Sequence, residues 1–195
     1  MMFDLLTLLL SAIFVNNVVV TQFLGLCPFL GASQRLVSAL GLAGATLFVM
    51  TLASGVGYLI DTYVLVPLAL TYLRIIAFII VIALLVQFMA VLIRATQPLI
   101  HEMLGVYIPL ITTNCMVLGT VLISVRTHAS LAEAILTGLG SGIGFGLILL
   151  AFAAQRERIS DEMVPKAFQG VSVHVISAGI MALGFMGFIG ISSAT

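Results

Sequence analysis

The sequence predicts an all-α integral membrane protein: a single domain over 1–195 with six transmembrane helices, arranged as two inverted repeats of three. The first observation is composition, since 62% of the residues are hydrophobic and 7% are charged, whereas a soluble domain carries roughly 25% charged residues. The second is a series of apolar runs close to the ~20 residues that cross a bilayer. The third is an internal duplication of short motifs.

Six apolar runs are the candidate spans, and breakers and charges fill the linkers between them; Asp61 and Thr62, for example, follow the second run. The runs lie at 4–31, 38–60, 66–93, 99–125, 131–154 and 168–192. They are continuously apolar, whereas the strands of an outer-membrane barrel would alternate with a period of two. The runs therefore predict transmembrane helices with a lipid bilayer around them.

The charged residues predict the orientation. The formal net charge is zero, which gives no reason to expect a nucleic-acid partner. No basic residue precedes Arg35, so we expect no cleaved signal peptide. Five basic residues fall in the first, third and fifth linkers, against Arg74 and Arg126 on the opposite side; the five are Arg35, Arg94, Arg156, Arg158 and Lys166. Because basic linkers stay in the cytoplasm, we expect a bacterial inner-membrane protein with both termini outside, in the periplasm.

Short motifs recur in the same order in the two halves of the chain. The pattern C-x-x-L-G occurs at 27–31 and 115–119 and contains the only two cysteines, Cys27 and Cys115. SGVGY at 54–58 matches SGIGF at 141–145 at nearly the same offset, and a weaker third pair follows. The order predicts repeat one at about 1–95 and repeat two at about 96–195. Three spans are an odd number, so the second repeat would start on the opposite side of the membrane.

The first and fourth helices are predicted to be interrupted. As one straight helix, the first run of about 28 residues would reach ~42 Å, against a hydrocarbon core of ~30 Å. Gly25 and Pro28 flank Cys27, and proline breaks helices. Thr112, Thr113 and Asn114 precede Cys115 in the fourth run, where their side chains would satisfy freed backbone groups. Inverted-repeat membrane proteins place their sites at such interruptions.

The residues alone leave the role of the cysteines open. A buried cysteine often serves packing alone. Thiolates are also soft ligands for iron–sulfur, zinc or copper(I) sites, and a cysteine pair can form a disulfide. Two thiolates do not complete a four-ligand zinc or [2Fe–2S] site. A metal site would therefore need two more ligands from a second chain.

Four segments carry a resemblance to a known family: 14–20 (FVNNVVV), 22–31 (QFLGLCPFLG), 108–115 (IPLITTNC) and 140–145 (GSGIGF). They resemble the A-type subunits of the Rnf electron-transport complex, and the resemblance covers essentially the whole chain. The E-type subunit of the sodium-translocating NADH:quinone reductase is a homologue. Asn16, Asn17 and the pair Cys27-Pro28 are more similar to the Rnf version.

The resemblance implies a six-helix subunit that pairs with a homologous subunit of opposite orientation, the E-type subunit of Rnf complexes. Each partner would contribute two cysteines, here Cys27 and Cys115, to one [2Fe–2S] cluster within the membrane. The complex would pass electrons between ferredoxin and NAD and couple this flow to sodium or proton transport. Further subunits of the B, C, D and G types would complete it.

The sequence contains no flavin-attachment or nucleotide-binding motif. Flavins and other iron–sulfur clusters are therefore expected on other subunits only. This chain would be an enzyme only as a subunit of a translocating oxidoreductase, with no catalytic residue and no complete active site of its own.

Two rival functions stay open at this point. A small secondary transporter would also use inverted repeats and broken helices, with incidental cysteines. A thiol–disulfide membrane oxidoreductase would use the cysteines as a redox pair. Asn114, beside Cys115, is expected either to form an interhelical hydrogen bond or to act near the cluster or an ion path.

Overall fold

The computed structural model describes residues 7, 9, 12–13, 17–33, 36–68, 71–96, 108–127, 130–158, 165 and 170–192, and we found no β-strand in these ranges. We number its α-helices in chain order: α1 Val18–Gln22, α2 Leu26–Ala32, α3 Leu36–Ile60, α4 Arg74–Thr96, α5 Ile108–Thr112, α6 Cys115–Thr127, α7 Leu131–Arg158 and α8 Val171–Ser192. A π-helical segment, Asp61–Leu65, extends α3, and a 3-10 turn, Thr71–Leu73, precedes α4.

Four helical stretches of the described chain are long and apolar enough to cross a membrane, and they confirm the all-α membrane class. They are Leu36–Leu65, Arg74–Ala95, Pro109–Thr127 and Leu131–Arg158. A shorter apolar stretch runs over Ser172–Gly187, inside the last predicted span. The first predicted span lies partly outside the described residues. The six-span count, the single domain and the inverted repeats stay predictions.

The prediction of a linker at Asp61 and Thr62 is wrong, because the helix continues through both residues to Leu65. The reason is a bidentate ion pair with the start of α4. Arg74 Nε donates to Asp61 Oδ1 at 2.7 Å and Arg74 Nη2 donates to Asp61 Oδ2 at 3.1 Å. Asp61 is 5% exposed. With its charge paired in this way, the carboxylate does not need to leave the helix for water.

The centre of the fold is the antiparallel packing of α3 against α7. Small residues allow the two backbones to approach closely. A Cβ added to Gly142 would lie 2.6 Å from Leu47 Cδ1, and one added to Gly138 would lie 2.6 Å from Ser54 Oγ. Residues later in α3 thus contact residues earlier in α7. The two helices therefore run antiparallel, which is the arrangement that inverted repeats would produce. Gly142, in the second SGxG segment, is one of the small residues that allow this close packing.

Gly138→Ala is expected to destabilise the protein by about 1–3 kcal/mol through overpacking. The new methyl group would meet Ser54 Oγ at 2.6 Å and the Met50 carbonyl oxygen at 2.8 Å. Gly44→Ala on α3 is the matched control, since nothing lies within 4 Å of its added Cβ and alanine favours helix. Thermal unfolding in detergent, followed by circular dichroism, measures both variants. Equal unfolding midpoints for the two variants would show that the α3–α7 contact can accommodate the added methyl group.

The end of α7 contacts the end of α2 and the start of α3. Arg156 Nη1 donates to the Leu30 carbonyl oxygen at 3.0 Å and to Ser33 Oγ at 2.9 Å. The Leu36 backbone N–H donates to Glu157 Oε1 at 3.2 Å. Arg156 and Glu157 therefore belong to a helix end that makes tertiary contacts rather than to a solvated loop. These contacts put the first and fifth linkers at one end of the molecule, as the predicted topology requires.

Candidate functional site at the two helix breaks

The first break separates α1 from α2 and is made by two left-handed residues. Phe23 has φ 54° and Gly25 has φ 86°, and glycine adopts this conformation without steric penalty. The sequence predicts the unwound segment at Cys27. Instead Cys27 and Pro28 both lie in the first turn of α2. Proline is tolerated there, because a backbone N–H at this position would have no acceptor within the helix.

The second break separates α5 from α6 and consists of Thr113 and Asn114. Thr113 Oγ1 donates to the Pro109 carbonyl oxygen at 2.9 Å. Asn114 Oδ1 accepts from the Met116 backbone N–H at 3.1 Å and so caps α6. For Asn114, the prediction that a polar side chain satisfies a freed backbone group is confirmed. The Pro109 carbonyl oxygen also accepts from the Thr113 backbone N–H at 3.1 Å, so the Thr113 hydroxyl bonds a carbonyl that is already paired.

An asparagine caps a helix in each half of the chain. Asn17 Oδ1 accepts from the Val19 backbone N–H at 3.1 Å, as Asn114 Oδ1 does from Met116. Both asparagines are 3% exposed. Their amide nitrogens differ: Asn17 Nδ2 donates to the Ile13 carbonyl oxygen at 3.0 Å, whereas Asn114 Nδ2 is buried without a hydrogen-bond partner among the described residues.

The two breaks touch each other. The Gly25 backbone N–H donates to Cys115 Sγ at 3.1 Å. A Cβ added at Gly25 would lie 3.2 Å from Met116 Cβ and 3.4 Å from Asn114 Oδ1, and one at Gly119 would lie 2.7 Å from Leu24 Cδ1. The first break therefore packs against the opening turns of α6, and Cys115 lies beside the turn that leads into Cys27.

Both cysteines are free thiols with exposed side chains. Within the described part of the chain, no group of three or more His, Cys, Asp and Glu residues could hold a metal ion. The described part of the chain offers two soft sulfur donors at this place, two fewer than a four-ligand site takes. That donor set fits half of a [2Fe–2S] site, and the N–H donated to Cys115 Sγ is the kind of contact that iron-bound sulfur accepts.

Two contacts that join distant parts of the chain could not be found from the sequence. Asp61 and Arg74 flank a linker, and no helical or strand spacing relates them. The Gly25–Cys115 bond joins residues 90 positions apart. The C-x-x-L-G repeat was the one signal for it, because it placed matching cysteines in both halves. Asn16 lies outside the described residues.

Comparison with known proteins places the chain in a family. A family model described as Rnf-Nqr subunit, membrane protein, matches residues 5–192. The A-type subunit of the ion-translocating oxidoreductase complex of Azotobacter vinelandii is 52% identical over 191 residues, covering 97% of this chain and 98% of the relative. The corresponding subunits of Aeromonas hydrophila and Pasteurella multocida are 49% and 47% identical over 190 residues, covering 97% of this chain and 98% and 99% of the relatives. The chain belongs to the Rnf-Nqr family of membrane subunits.

Proposed function

We propose that this chain is a membrane subunit of an Rnf-type ion-translocating oxidoreductase complex in the bacterial inner membrane. Its work is to carry electrons across the membrane through a [2Fe–2S] cluster shared with a homologous six-helix subunit of opposite orientation. The hydrogen bond from Gly25 to Cys115 Sγ at 3.1 Å carries the proposal, because it joins the two breaks, each of which is followed by a helix with a cysteine in its first turn.

Cys27 and Cys115 would hold one half of the cluster. Both side chains are exposed, so a partner chain has access to the same site. When bound, the cluster supplies one-electron transfer. Two cysteines from each partner would complete the four ligands that such a cluster needs.

Two features of the surroundings would favour an anionic cluster at Cys115. Cys115 is the first residue of α6, a helix of 13 residues. The N-terminal end of a helix carries partial positive charge, which favours an anion. The Gly25 N–H adds a hydrogen bond, and hydrogen bonds to charged groups are stronger than neutral ones. Both features would stabilise the negative charge of a cluster held at Cys115.

Other subunits of the complex would carry the remaining cofactors and take part in ion transport. The names of the relatives support membership in an ion-translocating oxidoreductase complex. We assign flavins and further iron–sulfur clusters to subunits of the B, C, D and G types. Electron flow between ferredoxin and NAD would be coupled to sodium or proton transport.

The chain purified alone is expected to hold no stoichiometric iron, whereas its complex with the homologous partner should hold one cluster per pair of chains. The physical reason is the ligand count, since this chain contains two cysteines and the cluster needs four ligands. Iron per chain and the EPR spectrum of the reduced sample, both prepared anaerobically, measure the difference.

The mass of the isolated particle is the control, since two copies of this chain could together supply four cysteines. A full [2Fe–2S] signal from a verified monomer would contradict the shared site. An iron-free complex would instead favour the secondary-transporter alternative.

A further inference from the structure

We propose that Gly25 and Asn114 are positioning residues that raise the reduction potential of the shared cluster from the Cys115 side. Their hydrogen-bond donors lie at the contact between the two breaks, one on each. The inference rests on the proposed function, because it requires a cluster at these cysteines. It identifies the atoms of this chain that influence the reduction potential of that cluster.

The first donor is the Gly25 backbone N–H, 3.1 Å from Cys115 Sγ. Hydrogen bonds to the sulfurs are one of the factors that set the potential of an iron–sulfur cluster. Reduction adds one negative charge, so a donor at sulfur stabilises the reduced form more than the oxidised form. Removing such a donor lowers the potential.

The conformation of Gly25 makes this contact possible. Its φ of 86° places it in the left-handed region. A side chain would meet Met116 Cβ at 3.2 Å and Asn114 Oδ1 at 3.4 Å. The absence of a side chain therefore lets the backbone N–H come within hydrogen-bond distance of the sulfur.

The second donor is Asn114 Nδ2. Asn114 is 3% exposed, its Oδ1 is occupied by the Met116 N–H, and its Nδ2 has no partner among the described residues. Buried donors are rarely left unpaired, and an exception calls for an explanation. Asn114 adjoins Cys115 in the chain, and its Oδ1 would lie 3.4 Å from a Cβ added at Gly25. A sulfur of a cluster held at Cys115 would give the buried amide an acceptor.

Asn17, the matching cap in the first half of the chain, has its side-chain amide nitrogen already bonded. It caps α1 with the same 3.1 Å bond as Asn114 in α6, yet its Nδ2 is bonded to the Ile13 carbonyl oxygen. The two asparagines therefore cap their helices in the same way, but only the amide nitrogen of Asn114 lacks an acceptor among the described residues. That difference supplies a control within the same protein.

Asn114→Ser in the assembled complex tests the proposal. Serine keeps an oxygen that can cap α6 and removes the amide donor. We expect the equilibrium constant for reduction to fall about tenfold, which for one electron is about 59 mV toward lower potential. An EPR-monitored redox titration measures the midpoint. Asn17→Ser makes the same change at a comparable cap whose amide nitrogen is bonded to the Ile13 carbonyl oxygen, and it should leave the midpoint unchanged.

An unchanged midpoint in Asn114→Ser, or an equal shift in Asn17→Ser, would overturn the inference while the cluster itself remained. A wild-type complex without a [2Fe–2S] signal would overturn the proposed function instead. If Asn114→Ser does not assemble, pulsed EPR of the wild-type complex with ¹⁵N in asparagine amides decides. A nitrogen coupling to the reduced cluster that persists in Asn17→Ser supports the inference, and no coupling sinks it.

Discussion

Replacing either cysteine with serine, as Cys27→Ser or Cys115→Ser, is expected to remove the [2Fe–2S] EPR signal of the purified complex and to stop electron transfer through it. Serine nearly preserves the shape of cysteine but exchanges a soft thiolate for a hard hydroxyl, a poor ligand for iron–sulfur clusters. Since both side chains are exposed, packing should change little. The EPR spectrum, the iron content and the rate of electron transfer give the result.

Cys27→Ala and Cys115→Ala separate ligation from packing. If the thiols only fill space, serine and alanine should differ in degree, because their volumes and polarities differ. If the thiols bind iron, both substitutions should abolish the signal equally. A variant that keeps full electron transfer and a normal spectrum would show that its cysteine is not a ligand, and the transporter alternative would move ahead.

A reporter active only in the cytoplasm should give no signal when fused after Thr195 and strong signal when the chain is cut and fused after Arg158. The excess of basic residues in the first, third and fifth linkers motivates this expectation. The contacts of Arg156 with Leu30 and Ser33 support it, since they hold the first and fifth linkers at one end of the molecule. Reporter activity normalised to protein amount gives the readout.

Strong cytoplasmic signal at Thr195 would reverse the orientation of this chain. The homologous partner would then have to reverse as well for the oppositely oriented pair to survive. Equal signals from the two fusions would contradict the basic-residue argument and leave the pair without a defined orientation.

The membrane helices could be predicted from sequence because each apolar run is a local property of the chain. The breaks were also predictable in kind, since Gly25 and the Thr112–Asn114 segment interrupt otherwise apolar helices. The exact residues at which the helices break were harder to predict. The first break uses Phe23 at φ 54°, a conformation that its residue type does not favour, so packing against α6 decides it.

The contacts that build the site were not predictable in the same way. The Gly25 N–H reaches Cys115 Sγ across 90 positions, and only the folded arrangement of both breaks makes that contact. The free amide of Asn114 is likewise a property of its surroundings, because Asn17 has the same side chain and cap but finds a carbonyl acceptor. Local sequence patterns identify the residues of the site, whereas the tertiary structure determines which atoms they contact.

The Asp61–Arg74 pair has a consequence for how the newly made chain enters the bilayer. An unpaired aspartate or arginine at the centre of an inserting helix costs about 2.5–3.5 kcal/mol, and less near its ends. When α3 alone has left the ribosome, Asp61 has no counterion from α4. The 2.7 Å contact forms only after Arg74 follows. We therefore expect α3 and α4 to leave the translocon together as a helical hairpin, with the ion pair closing its turn.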